Sequence, residues 1–279
     1  MGGTPTHHGK EGPITLSLAA IHVYPVKSCG GVGVSAWKLD ALGLEHDRRW
    51  MLVDTEGGAV TQRDRPALSR TRTAIEGDVI RVEAPGVAPL SLPLIPAGGD
   101  RHRVALWNWN GSGLAASPEG DAWFSDLLGE AVRLLYCPPL EGQPVNPRYV
   151  SLPAQAGFTD GFPILLIGQA SLDELNRRLP APVPMGRFRP NLVVTGAGPF
   201  AEDTWRQVRI GQTEISLVKG CDRCAFTTID QETGEKGVEP LRTLATFRKW
   251  DGKVWFGQNA VHRGPGALQV GDAVVPGAG

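Results

Sequence analysis

Cysteine is scarce in this chain, four in 279 residues, which excludes the disulfide scaffold of a small secreted domain. No apolar run reaches the roughly 18 to 20 residues of a membrane helix, and the start shows no charged-then-apolar leader. Net charge is nearly absent: 28 basic residues face 29 acidic ones, so no global field recruits nucleic acid or an anionic membrane. Any bound anion must therefore be held locally. Lysine is also sparse. Seven of the cations are lysines and 21 are arginines, the side chain suited to bidentate capture of phosphate or carboxylate, although a biased composition explains the ratio equally well. Together these absences describe a soluble, cytoplasmic protein, long enough for a sizeable core and for two modest domains.

The opening MGGTPT fits a loose acylation pattern at Gly2, but residues 1–14 read as a disordered tail. From Ile14 onward, short apolar runs alternate with Gly and Pro punctuation. RWMLVD and DVIRVEA show the period-two pattern of antiparallel strands, and TEGGAV reads as a hairpin turn. The first hundred residues thus predict a twisted sheet or barrel. Two helices follow. DAWFSDLLGE, 121–130, places Trp123, Phe124, Leu127 and Leu128 on one face. ASLDELNRRLP, 170–180, opens on a Ser171–Glu174 capping box, buries Leu172, Leu175 and Leu179, and stops at Pro180. FPILLIG, PNLVVTG, WRQVRIG, TEISLVKG and GKVWFGQ read as further strands, and GALQVGDAVVPG as a closing pair. The proline-rich stretch 136–157 is the candidate crossover, dividing an N-terminal domain, 15–140, from a second, 141–276.

KGCDRCAFTTID, residues 219–230, carries the most chemistry. A redox pair would open a helix, whereas AFTTID after Cys224 favours a strand. A structural zinc site needs four ligands, and Cys29, Cys137 and the histidines supply no second pair. Packing of Cys221 and Cys224 as small hydrophobes remains open. YPVKSCGG, 24–31, brings Lys27, Ser28 and approachable glycine backbone together as a cradle for an anion. In MGRFRPNLVV, strand alternation points Arg187 and Arg189 to one side, a fork for an anion or for acids on a barrel rim. The helix start at Ser171 offers free N–H groups. Of Arg48 and Arg49, one faces inward and the other is a solvated cation. Trp107 and Trp109 line a substrate mouth or pack a strand edge. There is no G-x-G-x-x-G, no H-E-x-x-H and no Ser–His–acid grouping.

In order along the chain, YPVKSCGG, DRRWMLVD, ASLDELNRRL, RFRPNLVV, AEDTWRQVRIG, CDRCAFTTID and FGQNA followed by GALQVGDAV resemble the MOSC domain proteins with an N-terminal β-barrel domain. That family includes the mitochondrial amidoxime-reducing component and its stand-alone bacterial counterparts. The resemblance spans roughly residues 15 to 275, and R-C-x-x-T-T and F-R-P-N are its most specific pieces. It implies a β-rich mixed α/β fold: an N-terminal β-barrel-like domain, then a C-terminal MOSC β-barrel domain with flanking helices.

The resemblance also implies molybdenum cofactor, with Cys224 as the metal-ligating thiolate. Lys27, Ser28, Arg48, Arg189 and Asn191, with Ser171 as a further candidate, are the implied cofactor contacts. Thiolate is a suitable donor for a soft metal site. The implied activity is reduction of N-hydroxylated substrates such as amidoximes, hydroxylamines and N-hydroxylated bases. Asp222 and Asp230 flank the thiolate as candidate proton relays, or cap turns. The sequence shows neither the four-cysteine iron–sulfur pattern nor the pyridoxal-phosphate domain that some relatives carry, and the expected source of electrons is a separate protein. The alternative is a carrier or storage protein that binds the cofactor without turnover.

Overall fold

The computed structural model describes residues 15–277; the expected tail at 1–14, with Gly2, lies outside them. Its largest unit is a nine-stranded sheet. In spatial order it runs Val32–Val34, Ser17–Val23, Leu192–Thr195, Ile164–Gly168, Lys253–His262, Thr213–Arg223, Gln207–Ile210 and Val274–Pro276, with Lys249–Trp250 appended to Lys253–His262. The sheet curls back on itself. Leu18 N donates to Asp272 O at 2.9 Å and Val274 N to Leu16 O at 2.9 Å, so the last strand returns to the first, and such closure leaves no open edge there.

The one parallel pair in this sheet joins Ile164–Gly168 to Leu192–Thr195. A parallel pair needs a crossover, which the helix Gln169–Asn176 supplies. Its buried face is Leu172 and Leu175, with Leu179 packed just beyond its end, as the leucine spacing predicts. The expected capping box does not form. Gly168 is the N-cap, Ser171 lies one turn inside, and Glu174 pairs with Arg177 and Arg178.

A second group of strands makes the first half. Trp50–Val53, Arg133–Tyr136, Trp109–Ala115 and Asp100–Leu106 form one sheet, and Arg72–Glu76, Val79–Glu83 and Leu90–Pro93 another. Trp50, Leu52, Ile80, Leu92, Phe124 and Leu134 close a shared core between them. The helix over this core is Pro118–Leu128, starting three residues before the expected 121. Ser117 caps it by accepting from Gly120 N at 3.0 Å, Pro118 takes the first turn, and Gly129 ends it at φ 67°; Pro and Gly suit those two positions for opposite reasons.

The two halves are interleaved. The first strand lies inside the large sheet, and Gly266–Gln269 pairs with Ala36–Asp40. No helix among the described residues is long and apolar enough to cross a membrane.

Candidate functional site

Where the halves meet there is a cleft of about 400 Å³, within the size range of small-molecule sites. Six cations line it, Lys27, Arg48, Arg63, Arg189, Lys219 and Arg223, against two carboxylates, Asp160 and Asp222. That imbalance favours an anionic ligand in a site whose walls concentrate the field.

Lys27 and Ser28 arrive on the turn after the first strand, pinned by Lys27 N donating to Trp50 O at 2.8 Å. The Lys27 ammonium is buried, 6% exposed. It donates to Phe158 O at 2.9 Å and pairs with Asp160 at 2.5 Å. Burial pulls its pKa down, and Asp160 opposes the fall. Burial also pushes the Asp160 carboxyl up, but Lys27 and Arg63 outweigh it and hold that group well below the usual carboxylate range.

Arg48 and Arg189 sit 4.2 and 4.1 Å from the ring centroid of buried Tyr24. Asn191 braces this arrangement. Its Oδ1 accepts from Arg48 at 3.1 Å and from Leu165 N at 3.2 Å, and its Nδ2 donates to His22 O at 3.2 Å. Burial, then the like charge of Arg48, lowers the Arg189 pKa to about 10.

The backbone here departs from ordinary conformations. Of eight non-glycine residues with positive φ among the described residues, four line the cleft: Ser28 at 71°, Arg48 at 45°, Trp107 at 54° and Arg189 at 54°. Strain of this kind persists where surrounding structure imposes it and concentrates at ligand sites. The expected strand alternation of Arg187 and Arg189 is therefore corrected. Both precede the strand, Arg187 in a 3-10 turn and Arg189 left-handed at the end of that turn, so the period-two alternation of a strand does not apply to them. Arg187 turns to Asp230 at 2.7 Å, and only Arg189 lines the cleft. Arg49 is corrected too. It is buried against Asp40 rather than solvated.

The strand Thr213–Arg223 carries register shifts between Leu217 and Lys219 and between Gly220 and Asp222. Bulges re-aim side chains beside functional sites, and here Lys219, Cys221, Asp222 and Arg223 all reach the cleft. After Cys224 the chain forms a one-turn 3-10 helix, Ala225–Thr228, rather than the expected strand. Thr227 Oγ1 donates back to Cys224 O at 3.1 Å.

The two thiols differ. Cys224 is exposed and accepts from Arg63 Nε at 3.5 Å. Burial pushes the Cys221 thiol up, and its one hydrogen-bond contact is with Asp222 O at 4.0 Å. Three buried polar atoms of lining residues, Ser28 Oγ, Arg189 Nη2 and Arg223 Nη2, have no partner among the described residues. Six further unpaired buried polar atoms among the described residues belong to residues outside the cleft, so these three are free to bind a ligand but do not by themselves require one. An accessible thiol beside unpaired donors fits a metal-bearing group with an anionic tail. Among the described residues no three His, Cys, Asp or Glu side chains gather to bind a metal by themselves.

Lys27, Ser28, Arg48, Arg189, Asn191, Asp222 and Cys224 thus share one cleft, and Ser171 and Asp230 do not line it. Ser171 is fully buried, donating to Glu202 and accepting from Phe200 N at 2.8 Å. Asp230 accepts from Glu232 N and Thr233 N, the turn-capping alternative, and these bonds hold its pKa low. Asp222 is ion-paired to Lys219 and Lys253, and although its partial burial raises the pKa, these bonds leave it lowered. Arg223, the arginine of R-C-x-x-T-T, also lines the cleft, as do Arg63, Asp160 and Lys219, to which the sequence assigned no role.

Residues 15–131 match the MOSC N-terminal beta barrel domain, and residues 153–275 match the MOSC domain. The chain is 34% identical over 278 residues to mitochondrial amidoxime reducing component 2 of Rattus norvegicus, covering 92% of this chain and 82% of that protein. It is 34% identical over 277 residues to mitochondrial amidoxime-reducing component 1 of Homo sapiens, with 92% and 82% covered. It is 32% identical over 267 residues to a molybdenum cofactor sulfurase of Oryza sativa subsp. japonica, covering 87% of this chain but 32% of that longer protein. With a cleft lined from both halves and both halves matched in order, the chain belongs to the family of MOSC domain proteins that carry an N-terminal MOSC β-barrel domain.

Proposed function

We propose that this chain holds molybdenum cofactor in the cleft and reduces N-hydroxylated substrates such as amidoximes, hydroxylamines and N-hydroxylated bases. The names of its relatives, amidoxime-reducing components and molybdenum cofactor sulfurases, support a molybdenum-related role. The observation that carries the reading is the pairing of one accessible thiol, Cys224, with a cationic frame whose buried donors are unsatisfied.

In this reading Cys224 is the protein's metal ligand, and Arg63 steadies its sulfur. Lys27, Ser28, Arg48 and Arg189 face the anionic tail. Asn191 acts through Arg48, as a positioning residue. The cofactor, when bound, supplies the redox chemistry that removes oxygen from an N–O bond; the chain orients it and sets its electrostatics. Asp222, which lines the cleft, is the candidate proton relay, and Asp230, which does not line it, caps its own turn. A separate protein supplies electrons.

The test is to purify the chain from a host that makes molybdenum cofactor, assay molybdenum and pterin, and follow benzamidoxime reduction with an artificial electron donor. Bound pterin with turnover is expected. Absence of pterin overturns the reading, and a loaded protein without turnover replaces reductase by carrier.

A further inference from the structure

We propose that Trp107 is a preformed stacking platform at the cleft mouth, making the site selective for planar, conjugated N-hydroxylated molecules over saturated ones. This rests on the reductase reading above. Trp107 and Asn108 are the two loop residues between Asp100–Leu106 and Trp109–Ala115, since Leu106 pairs with Trp109. Trp107 has φ 54° and Asn108 is not left-handed, the pattern of a hairpin turn whose first central position favours glycine. A bulky indole is the opposite of what that turn selects.

Nor does burial explain the residue. Trp107 is 61% exposed, while Trp109, two residues on, packs against Phe158 and the adjoining core. The exposed ring is nevertheless fixed in place. Its Nε1 donates to Asp160 Oδ1 at 3.1 Å, and the Arg63 guanidinium lies 4.6 Å from its centroid. Asp160 is itself held by Lys27 and Arg63. The Arg63 guanidinium lies over the indole, yet the residue keeps 61% of its surface exposed, and that surface is open to a flat guest.

The platform also adjoins the reacting end of the cleft, because Arg63, which touches Trp107, also reaches Cys224 Sγ at 3.5 Å. The groups suited to a resident cofactor, Lys27, Ser28 and Arg189, are buried. A molecule that enters and leaves meets the exposed end first. Stacking on an immobilised indole rewards a π-face and gives a saturated ring little beyond contact area.

Two measurements test this. With the oxidised, cofactor-loaded protein and no electron donor, calorimetry compares benzamidoxime with cyclohexanecarboxamidoxime. About tenfold tighter binding of the aromatic compound is expected, and equal binding overturns the proposal. With donor present, the kcat/KM ratio of the aromatic over the saturated substrate is expected to fall about tenfold in Trp107→Leu and to recover in Trp107→Phe. An unchanged ratio in Trp107→Leu contradicts the platform. Loss of pterin from Trp107→Leu would mean that the indole holds the cofactor, and would also overturn it. Binding selectivity without turnover would defeat the reductase reading and leave the platform standing.

Discussion

Arg63 Nε lies 3.5 Å from Cys224 Sγ, a contact spanning 161 residues of chain. The same guanidinium pairs with Asp160 at 2.8 Å and lies 4.6 and 5.2 Å from the rings of Trp107 and Phe226. One side chain from the first half thus ties together three segments of the cleft wall. Arg63→Ala is expected to cost about 1–2 kcal/mol of stability, since a partly buried arginine loses packing as well as pairing. Denaturant unfolding of the cofactor-free protein measures this directly, and an unchanged midpoint would show that the bridge carries no stability.

Ser28 combines a left-handed φ of 71° with a buried, unpartnered hydroxyl. Glycine at 28 removes both penalties, so Ser28→Gly is expected to stabilise the cofactor-free protein by about 1 kcal/mol. It should also lower pterin retention after gel filtration. A stabilised variant that keeps full pterin would show that the hydroxyl makes no cofactor contact.

Ser171 serves the fold. Its hydroxyl donates to Glu202, whose pKa burial raises, and accepts from Phe200 N. Ser171→Ala should destabilise the protein by about 1–3 kcal/mol, the cost of leaving buried partners unmatched. Molybdenum content per folded molecule should not change. Selective loss of metal without a shift in the melting temperature would restore Ser171 as a cofactor contact.

Asp160 gives the cleft an acid-sensitive element. Its folded pKa lies well below the ordinary 3.8, because Lys27 and Arg63 outweigh the upward push of burial. A depressed carboxylate contributes stability that is fully present above the unfolded pKa and is lost as the pH falls through the lower, folded value. The carboxylate is half-exposed, at 51%, so solvent screening reduces the effect below that of a buried pair. Asp160→Asn should lower the melting temperature at pH 7 and flatten its decline below pH 4. Parallel curves for the two proteins would contradict this.

Much of the site was legible because its residues sit in short, dense motifs. Lys27 and Ser28 precede glycines, Arg189 and Asn191 flank Pro190, and Cys224 follows an arginine. The backbone that aims them was not legible. Arg187 and Arg189 diverge because the chain turns before the strand begins, and period-two reasoning fails outside a strand. The bulges that turn Lys219 and Cys221 toward the cleft depend on pairing with a strand some forty residues later. Arg63 lies in TQRDRPALSR, a turn with no periodicity, and Asp160 lies in a glycine-rich connection. Both acquire their roles through contacts on the order of a hundred residues away. The Ser117–Pro118 cap was written in the sequence, yet apolar spacing alone set the expected helix start three residues late.

The most direct test compares Cys224→Ser with Cys221→Ser, each purified beside the wild type and assayed for molybdenum, pterin and benzamidoxime reduction. The account predicts that Cys224→Ser abolishes turnover, whether or not some pterin stays bound, while Cys221→Ser keeps cofactor and activity. Equal activity in the two variants would contradict it.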